Sequence, residues 1–225
     1  SLYFLSCISQ SFGPGIARHF MVPYNTKFWT VPLEQLTCQW LDGFIPVPSL
    51  SELVAGALKK SRGQAGYNSH FWYPKQGGIA ELPKAIAAEV KNIHLKNEVA
   101  VIDLGKREIK LAGGGREKFD YLISTLPLPE MARLIKDIPQ AIAISLNKLR
   151  WNSILNFNLG ISGRDNHRRH WAYFSQQELS FFRVGFFHNF SPDMAPAGKR
   201  ALYVEISYSM DRPPDKSAAA SRAMP

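Results

Sequence analysis

The sequence predicts an α/β fold, on three observations. The first third carries helical spacing of apolar residues, the middle mixes one helix with a β-hairpin, and the last third alternates apolar and polar residues strand by strand. At 225 residues the chain is long enough for one large domain or two small ones. With 45% hydrophobic and 20% charged residues it has an ordinary globular composition, which excludes wholesale disorder.

In the first third, Leu33, Leu36, Trp40 and Leu41 follow Pro32 at helical spacing, and Pro32 suits a first-turn position. A second helix is expected over Leu50–Lys60, with Ser49 or Ser51 as its cap, ending before Gly63. From Gly77-Gly78 a helix of about 13 residues is expected, with Ile79, Leu82, Ile86, Ala87 and Val90 on one face. Glu98–Leu104 and Glu108–Leu111 form a hairpin around Gly105-Lys106, with Val99 and Val101 sharing a face. Tyr121–Pro127 reads as a buried strand that empties into a helix begun by Pro129-Glu130. Leu155 to Ile161, Phe182 to Phe186 and Leu202 to Tyr208 alternate as three strands of an antiparallel sheet with one buried face. Met210–Pro225 reads as a frayed, flexible tail.

The net charge is +9, from 27 basic and 18 acidic residues. The basic residues are scattered, and only Arg164–His170 clusters, between apolar runs where a loop belongs. No zinc-finger spacing or RNA-binding aromatic string is present, so no nucleic-acid partner is expected. No apolar stretch reaches membrane-spanning length, and the short apolar opening Leu2–Ile8 lacks the flanks of a signal peptide. Two cysteines, Cys7 and Cys38, are too few for a disulfide framework, so reduced thiols and a cytoplasmic location are the default. The chain opens on Ser1 and closes on an Ala-rich run, which reads as a piece of a longer protein.

Gly13-Pro14-Gly15-Ile16-Ala17-Arg18 imitates a dinucleotide fingerprint, but Arg18 occupies the place of the third small residue. A helix-entry turn explains it better. Gly77-Gly78 before a helix suits either close approach of a ligand and an anion at the free N–H groups, or a plain turn. His167 and His170 have HxxH spacing on a basic loop without a carboxylate pair, so no metal site is expected. The aromatic density, including Phe20, Tyr24, Phe28, Trp29, Trp171 and Tyr173, suits either a stacking cleft or a large aromatic core.

The strings Phe20-Met21-Val22-Pro23-Tyr24-Asn25-Thr26-Lys27-Phe28-Trp29, Cys38-Gln39-Trp40-Leu41, and Phe71-Trp72-Tyr73-Pro74-Lys75-Gln76-Gly77-Gly78 occur in that order. With Glu98-Val99, Leu122-Ile123-Ser124-Thr125, Trp171-Ala172-Tyr173-Phe174 and Phe181-Phe182-Arg183, they resemble the FAD-dependent amine oxidase/protoporphyrinogen oxidase superfamily, nearest to the eukaryotic-type UDP-galactopyranose mutases. The resemblance runs from about Phe12 to Tyr208 and implies a fragment of a two-domain FAD-binding flavoprotein. It implies a helical substrate-side segment over 1–75, an FAD-domain segment over 76–139, and a substrate-domain sheet over 140–209, before the tail at 210–225. The family's N-terminal FAD fingerprint and C-terminal flavin segment have no counterpart in these residues.

By the same resemblance Gly77, Gly78, Val99, Ser124 and Thr125 belong to the FAD site, and Asn25, Trp29, Tyr173 and Arg183 face a nucleotide-sugar. A guanidinium suits a diphosphate through bidentate hydrogen bonds. One departure is that Phe44 stands where the mutases carry a second arginine. The implied activity is that of the parent enzyme, either a mutase-like reaction on a sugar nucleotide, with flavin as nucleophile, or hydride transfer from a small substrate to flavin. The competing classes are a non-enzymatic basic module for nucleic acid or an anionic surface, and an inactive truncated fragment.

Overall fold

The computed structural model describes residues 3–41, 45, 47, 49–58, 70–163 and 167–214. It divides into two compact units, one formed by residues 1–84 and 152–225, the other by 85–151.

The first unit opens with α1 (Phe4–Ile16), in which Gly13 leaves helical geometry at φ +75° and Pro14 restarts the helix. The fingerprint-like Gly13–Arg18 segment is therefore a helix-entry turn, where only glycine takes the positive φ without strain. A π-helical turn (Ala17–Met21) joins α1 to α2 (Val22–Trp29), which ends at Thr30 in the left-handed region. Phe4, Ile8, Ala17, Met21 and Leu33 form the buried core, with Phe12, Phe20 and Trp29 packed against it. Burial of Phe4 and Ile8, both fully inaccessible, contributes about 1.5–3 kcal/mol each.

The helix expected over Leu33–Leu41 is replaced by two 3₁₀ turns, Leu33–Gln35 and Gln39–Leu41. Leu36 is extended, its carbonyl accepts from the Phe4 N–H, and Thr37 bridges Tyr3, so the start of α1 takes hydrogen bonds a longer helix would have kept. That contact also brings Cys7 and Cys38 together as a disulfide, with Cα atoms 6.3 Å apart, in place of the reduced thiols expected. α3 (Leu50–Ala57) begins at Ser49, whose hydroxyl accepts from the Glu52 N–H while the Glu52 carboxylate accepts from the Ser49 N–H. This reciprocal box selects Ser49 over Ser51 as the cap. The Ser49 N–H and the Ser49 hydroxyl, which both donate to the Glu52 carboxylate, hold that carboxyl below its usual range, against desolvation.

The sheet of this unit has the order β4-β7-β6-β5, all antiparallel: β4 (Ser153–Ser162), β5 (Trp171–Tyr173), β6 (Arg183–Phe186) and β7 (Lys199–Tyr208). The three expected strands are present, joined by β5. One buried face was expected, yet Tyr203 through Ser207 are buried consecutively on both faces of β7. The reason is position: β7 is central, and α2 packs against it.

The expected 13-residue helix after Gly77-Gly78 is shorter, α4 (Glu81–Ala88), because residues 79–80 form a turn. The second unit holds β1 (Val99–Asp103), β2 (Glu108–Leu111) and β3 (Arg116–Lys118) in an antiparallel meander. A register shift between Val99 and Val101 interrupts the shared face expected of them, and Ile102, bridged to Ile135, and Asp103, beside Lys136, are both buried. Asp103 Oδ1 accepts from the Lys106 N–H at 2.9 Å, and Lys136 lies 3.6 Å from Oδ2. The backbone bond and the lysine charges hold the Asp103 carboxyl below its usual range, against desolvation. α5 (Leu128–Leu134) starts with Pro129 in its first turn, followed by α6 (Gln140–Asn147).

Tyr121–Pro127 is not the buried strand expected. It is irregular, pairs with no strand among the described residues, and leaves Tyr121 93% and Ile123 91% exposed. A largely apolar run signals burial but names no neighbour, and the meander has its three strands without it. The Met210–Pro225 tail is described only to Pro214, and Arg164 and Phe44 lie outside the described residues.

Candidate functional site

Antiparallel register sets one row of side chains across the whole sheet. Tyr173 pairs with Arg183, Arg183 with Glu205, and Glu205 with Asn156, so all four stand on one face in line across β5, β6, β7 and β4. The next row runs Trp171, Gly185, Tyr203 and Asn158. The intervening row on the opposite face, Ala172, Val184, Val204 and Phe157, is apolar. The same alternation that hides one face thus delivers a polar stripe on the other.

Arg183 is the centre of that stripe. Its Nε–H donates to Glu205 Oε2, and its guanidinium lies 5.7 Å from the Tyr203 ring centre and 5.9 Å from that of Phe182. Burial works against the charged guanidinium, but the Glu205 hydrogen bond and charge outweigh it, and the net direction is up. Arg183 stays cationic at every accessible pH. Burial also pushes the Tyr203 phenol up, with Arg183 opposing.

Gly185 makes room for this arrangement. A Cβ there would fall 1.8 Å from the Tyr203 ring, so the aromatic lies directly on the glycine backbone. Tyr203 in turn packs against Phe187, ring centres 4.7 Å apart.

The π-helical turn and α2 face the sheet with an aromatic comb at i, i+4 spacing, Phe20 stacked on Tyr24 at 5.3 Å and Tyr24 on Phe28 at 6.1 Å. Tyr24 meets Tyr173 edge-on at 5.3 Å, and Phe28 meets the buried Phe182 at 5.1 Å. Asn25 is buried on α2; its Nδ2 donates to the Met21 carbonyl at 2.7 Å, and its Oδ1 accepts from Trp29 Nε1 at 3.2 Å. The structure thus brings together Asn25 with Trp29, and Tyr173 with Arg183, with ring contacts running from Tyr173 through Tyr24 and Phe28 to Trp29.

The glycine pair sits at a second laced point of the same unit. Gly77 (φ +82°) and Gly78 (φ +142°) both require glycine geometry. The Gly77 N–H donates to Asp193 Oδ2 at 2.9 Å, and the Tyr73 hydroxyl accepts from the Ile79 N–H at 3.2 Å. A Cβ on Gly77 would meet the Glu81 side chain at 2.5 Å, and one on Gly78 the Met194 sulfur at 3.0 Å. The second unit carries the other three residues assigned to the flavin. Val99 pairs with Leu111 at the register shift, while Ser124 and Thr125 are exposed, with Ser124 Oγ accepting from the Leu126 N–H at 3.3 Å.

The profile of the flavin-containing amine oxidoreductases matches residues 4–223. The chain belongs to that family. A crystal structure of reduced UDP-galactopyranose mutase is similar to it, with 25% identity and a TM-score of 0.88 over 99% of this chain and 50% of that one. A crystal structure of a Pyrococcus furiosus protein shares the fold at 15% identity, with a TM-score of 0.64 over 97% of this chain and 52% of that one. The chain therefore spans about half the length of the solved structures it matches. Membership of the family implies a flavin cofactor, and the mixed helical and antiparallel-sheet architecture is that of a flavoprotein.

Reading the sequence alone misses Glu205, Tyr203 and Asn156 in the stripe and gives Lys27 no role. The signal for the first two was present: Tyr203 and Glu205 occupy the alternate positions of the Leu202–Tyr208 run, whose partners only the register identifies. Among the described residues no group of three or more His, Cys, Asp or Glu side chains is placed to hold a metal. His167 packs on Phe186 at 4.3 Å and His170 on Phe71 at 4.8 Å. No helix among the described residues is long and apolar enough to cross a membrane.

Proposed function

We propose that this chain is the substrate-side part of a longer FAD-dependent enzyme that binds a nucleotide-sugar in the manner of a UDP-galactopyranose mutase. The observation that carries the reading is the Tyr173–Arg183–Glu205–Asn156 row, a fixed cation flanked by hydrogen-bonding groups in line across the sheet. Such a row suits a diphosphate: Arg183 supplies charge and paired donors, Glu205 takes the Nε–H and fixes the plane of the guanidinium, and Tyr173 adds a hydroxyl. The likeness to the mutase structure supports the same assignment. Asn25 and Trp29 hold one another on α2 and would present the indole as a stacking wall for a ring of the ligand.

The residues present fit the ring of a flavin better than its pyrophosphate. Gly77 and Gly78 allow close backbone approach, but the Asp193 carboxylate already occupies the Gly77 N–H, and Glu81 lies over the same glycine. Two carboxylates there would repel phosphate and tolerate an uncharged ring edge. Gly77 and Gly78 are therefore proposed as flavin-side contacts, with the pyrophosphate left to other parts of the enzyme; Val99, Ser124 and Thr125 are proposed as FAD-site residues on the family resemblance alone. When bound, FAD would supply the nucleophile for a mutase reaction or the hydride acceptor for an oxidation. The chain's own residues would bind and orient the substrate in either case.

The domain segments 1–75, 76–139 and 140–209 are proposed as substrate-side, FAD-side and substrate-side parts in turn. Partners beyond a small-molecule substrate, nucleic acid included, form no part of the proposal. A cytoplasmic location follows the default for a chain of few cysteines; the Cys7–Cys38 disulfide opposes it, and alkylation of protein trapped in acid from cells would count the free thiols.

The deciding experiment is Arg183→Ala in the full-length enzyme. Loss of a hydrogen-bonded charge contact should weaken UDP binding by about 1.5–3 kcal/mol without changing flavin content. Unchanged UDP affinity would remove the diphosphate reading and leave oxidation of another small substrate as the better account.

A further inference from the structure

Lys27 is buried on α2, between Asn25 and Trp29, at 4% exposure. A lysine in such a place costs free energy unless its protons are satisfied. Two of its three are: Nζ donates to the Phe174 carbonyl at 2.8 Å and to the Gln176 carbonyl at 2.9 Å. Both carbonyls lie on the loop that leaves β5 directly after Tyr173 and returns to β6 at Arg183.

Two weaker ties flank this one. Ser175 Oγ donates to the His19 carbonyl at 3.1 Å, and Gln177 Nε2 donates to the Pro23 carbonyl at 3.0 Å. The loop is closed on itself by the Phe174 N–H donating to the Phe182 carbonyl at 2.9 Å, and by Phe174 against Phe181 at 5.0 Å. It therefore moves as a unit with the strands that carry Tyr173 and Arg183. The ammonium is aimed at backbone oxygens and not at the polar stripe, which sets it apart from a ligand-contacting cation.

We propose that Lys27 is a positioning residue for the diphosphate site, latching the β5–β6 hairpin to α2 so that Tyr173 and Arg183 stand at a fixed distance from Asn25 and Trp29. This rests on the nucleotide-sugar reading above and deepens it. Ligand binding then depends on a lysine that does not touch the ligand.

The test uses Lys27→Met and Lys27→Arg in the full-length enzyme, with amide hydrogen exchange of the ligand-free protein and UDP affinity as separate readouts. Lys27→Met should speed exchange across 174–182 by about tenfold or more, as expected when a loop loses its main tether. UDP affinity should fall about tenfold, with Lys27→Arg recovering part of both effects. Unchanged exchange in Lys27→Met overturns the latch. Faster exchange with unchanged UDP affinity, in an enzyme where Arg183→Ala does lose affinity, overturns the positioning role. Unchanged affinity in Arg183→Ala removes the diphosphate site itself, a failure told apart because the exchange readout needs no ligand. Should Lys27→Met not fold, Gln177→Ala removes the neighbouring tie and carries the same test, with faster exchange and weaker UDP binding expected together and an unchanged pair overturning the proposal.

Discussion

Replacing Glu205 by glutamine separates two roles that the Arg183–Glu205 pair combines. The substitution keeps the shape and an oxygen able to accept from Arg183 Nε, and removes only the negative charge. Two unit charges about 4 Å apart interact by about 4 kcal/mol at an effective dielectric of roughly 20. The Arg183 side chain keeps 31% of its exposure and that of Glu205 10%. Solvent screening therefore leaves about half, and the loss of folding stability should be about 2 kcal/mol. Binding should move the other way. With the carboxylate gone, the guanidinium meets an incoming diphosphate without a competing anion, and UDP should bind about fivefold tighter, roughly 1 kcal/mol. Urea unfolding and calorimetric UDP titration of the same preparation measure the two quantities. A stability loss with UDP affinity unchanged would refute the placement of the diphosphate on Arg183; unchanged stability would refute the coupling of the pair.

The isolated 225-residue chain should purify without tightly held FAD, since Asp193 occupies the Gly77 N–H; stoichiometric flavin absorbance on it would contradict this. Lys27 is pushed down to about 8, mainly by burial and by Arg212, against the pull of Glu178. The unfolded chain then binds more protons than the folded one between about 8 and the ordinary lysine value near 10.5, so this residue's contribution to stability should rise with pH across that window. Denaturant midpoints of wild type and Lys27→Met across the window check it, the rise being absent in the variant. The depressed Asp103 contributes stability that is present above its ordinary value and lost as pH falls through the folded one; Asp103→Asn should flatten the acid limb of a midpoint-against-pH curve. Ser49→Ala should destabilise α3 by about 1 kcal/mol, seen as reduced helicity or midpoint, through loss of the capping box.

The strands were legible because alternation is a property of the strand itself: Leu155–Ile161 and Leu202–Tyr208 each announce a buried face without knowledge of their neighbours. Their pairing is not local, and so the row from Tyr173 to Asn156 could be read only after register placed Glu205 opposite Arg183. The Leu33–Leu41 helix failed for the complementary reason. Its spacing was helical, but the Tyr3–Thr37 bridge and the Phe4 N–H took the chain into extended geometry at Leu36, a tertiary override of local pattern. Tyr121–Pro127 shows the limit of composition: apolar content identifies a segment suited to burial, whereas burial needs a partner surface. Lys27 was invisible for a subtler reason, since a lysine two residues from a tryptophan on a helix looks like surface until the loop that covers it is known. The family resemblance supplied Asn25, Trp29, Tyr173 and Arg183, and the geometry adds what holds them.

Gly185 constrains how this protein can change over generations. Every single-residue replacement there introduces a Cβ into the space the Tyr203 ring occupies, and Tyr203 is in turn stacked beside the Arg183 guanidinium. The Tyr203 ring would have to swing away or give way to a smaller residue, taking an aromatic off the glycine before a side chain at 185 became admissible. Change at position 185 is therefore ordered: a side chain on β6 there needs an accommodation on β7 first. Paired libraries at 185 and 203 should yield functional combinations that neither position yields alone.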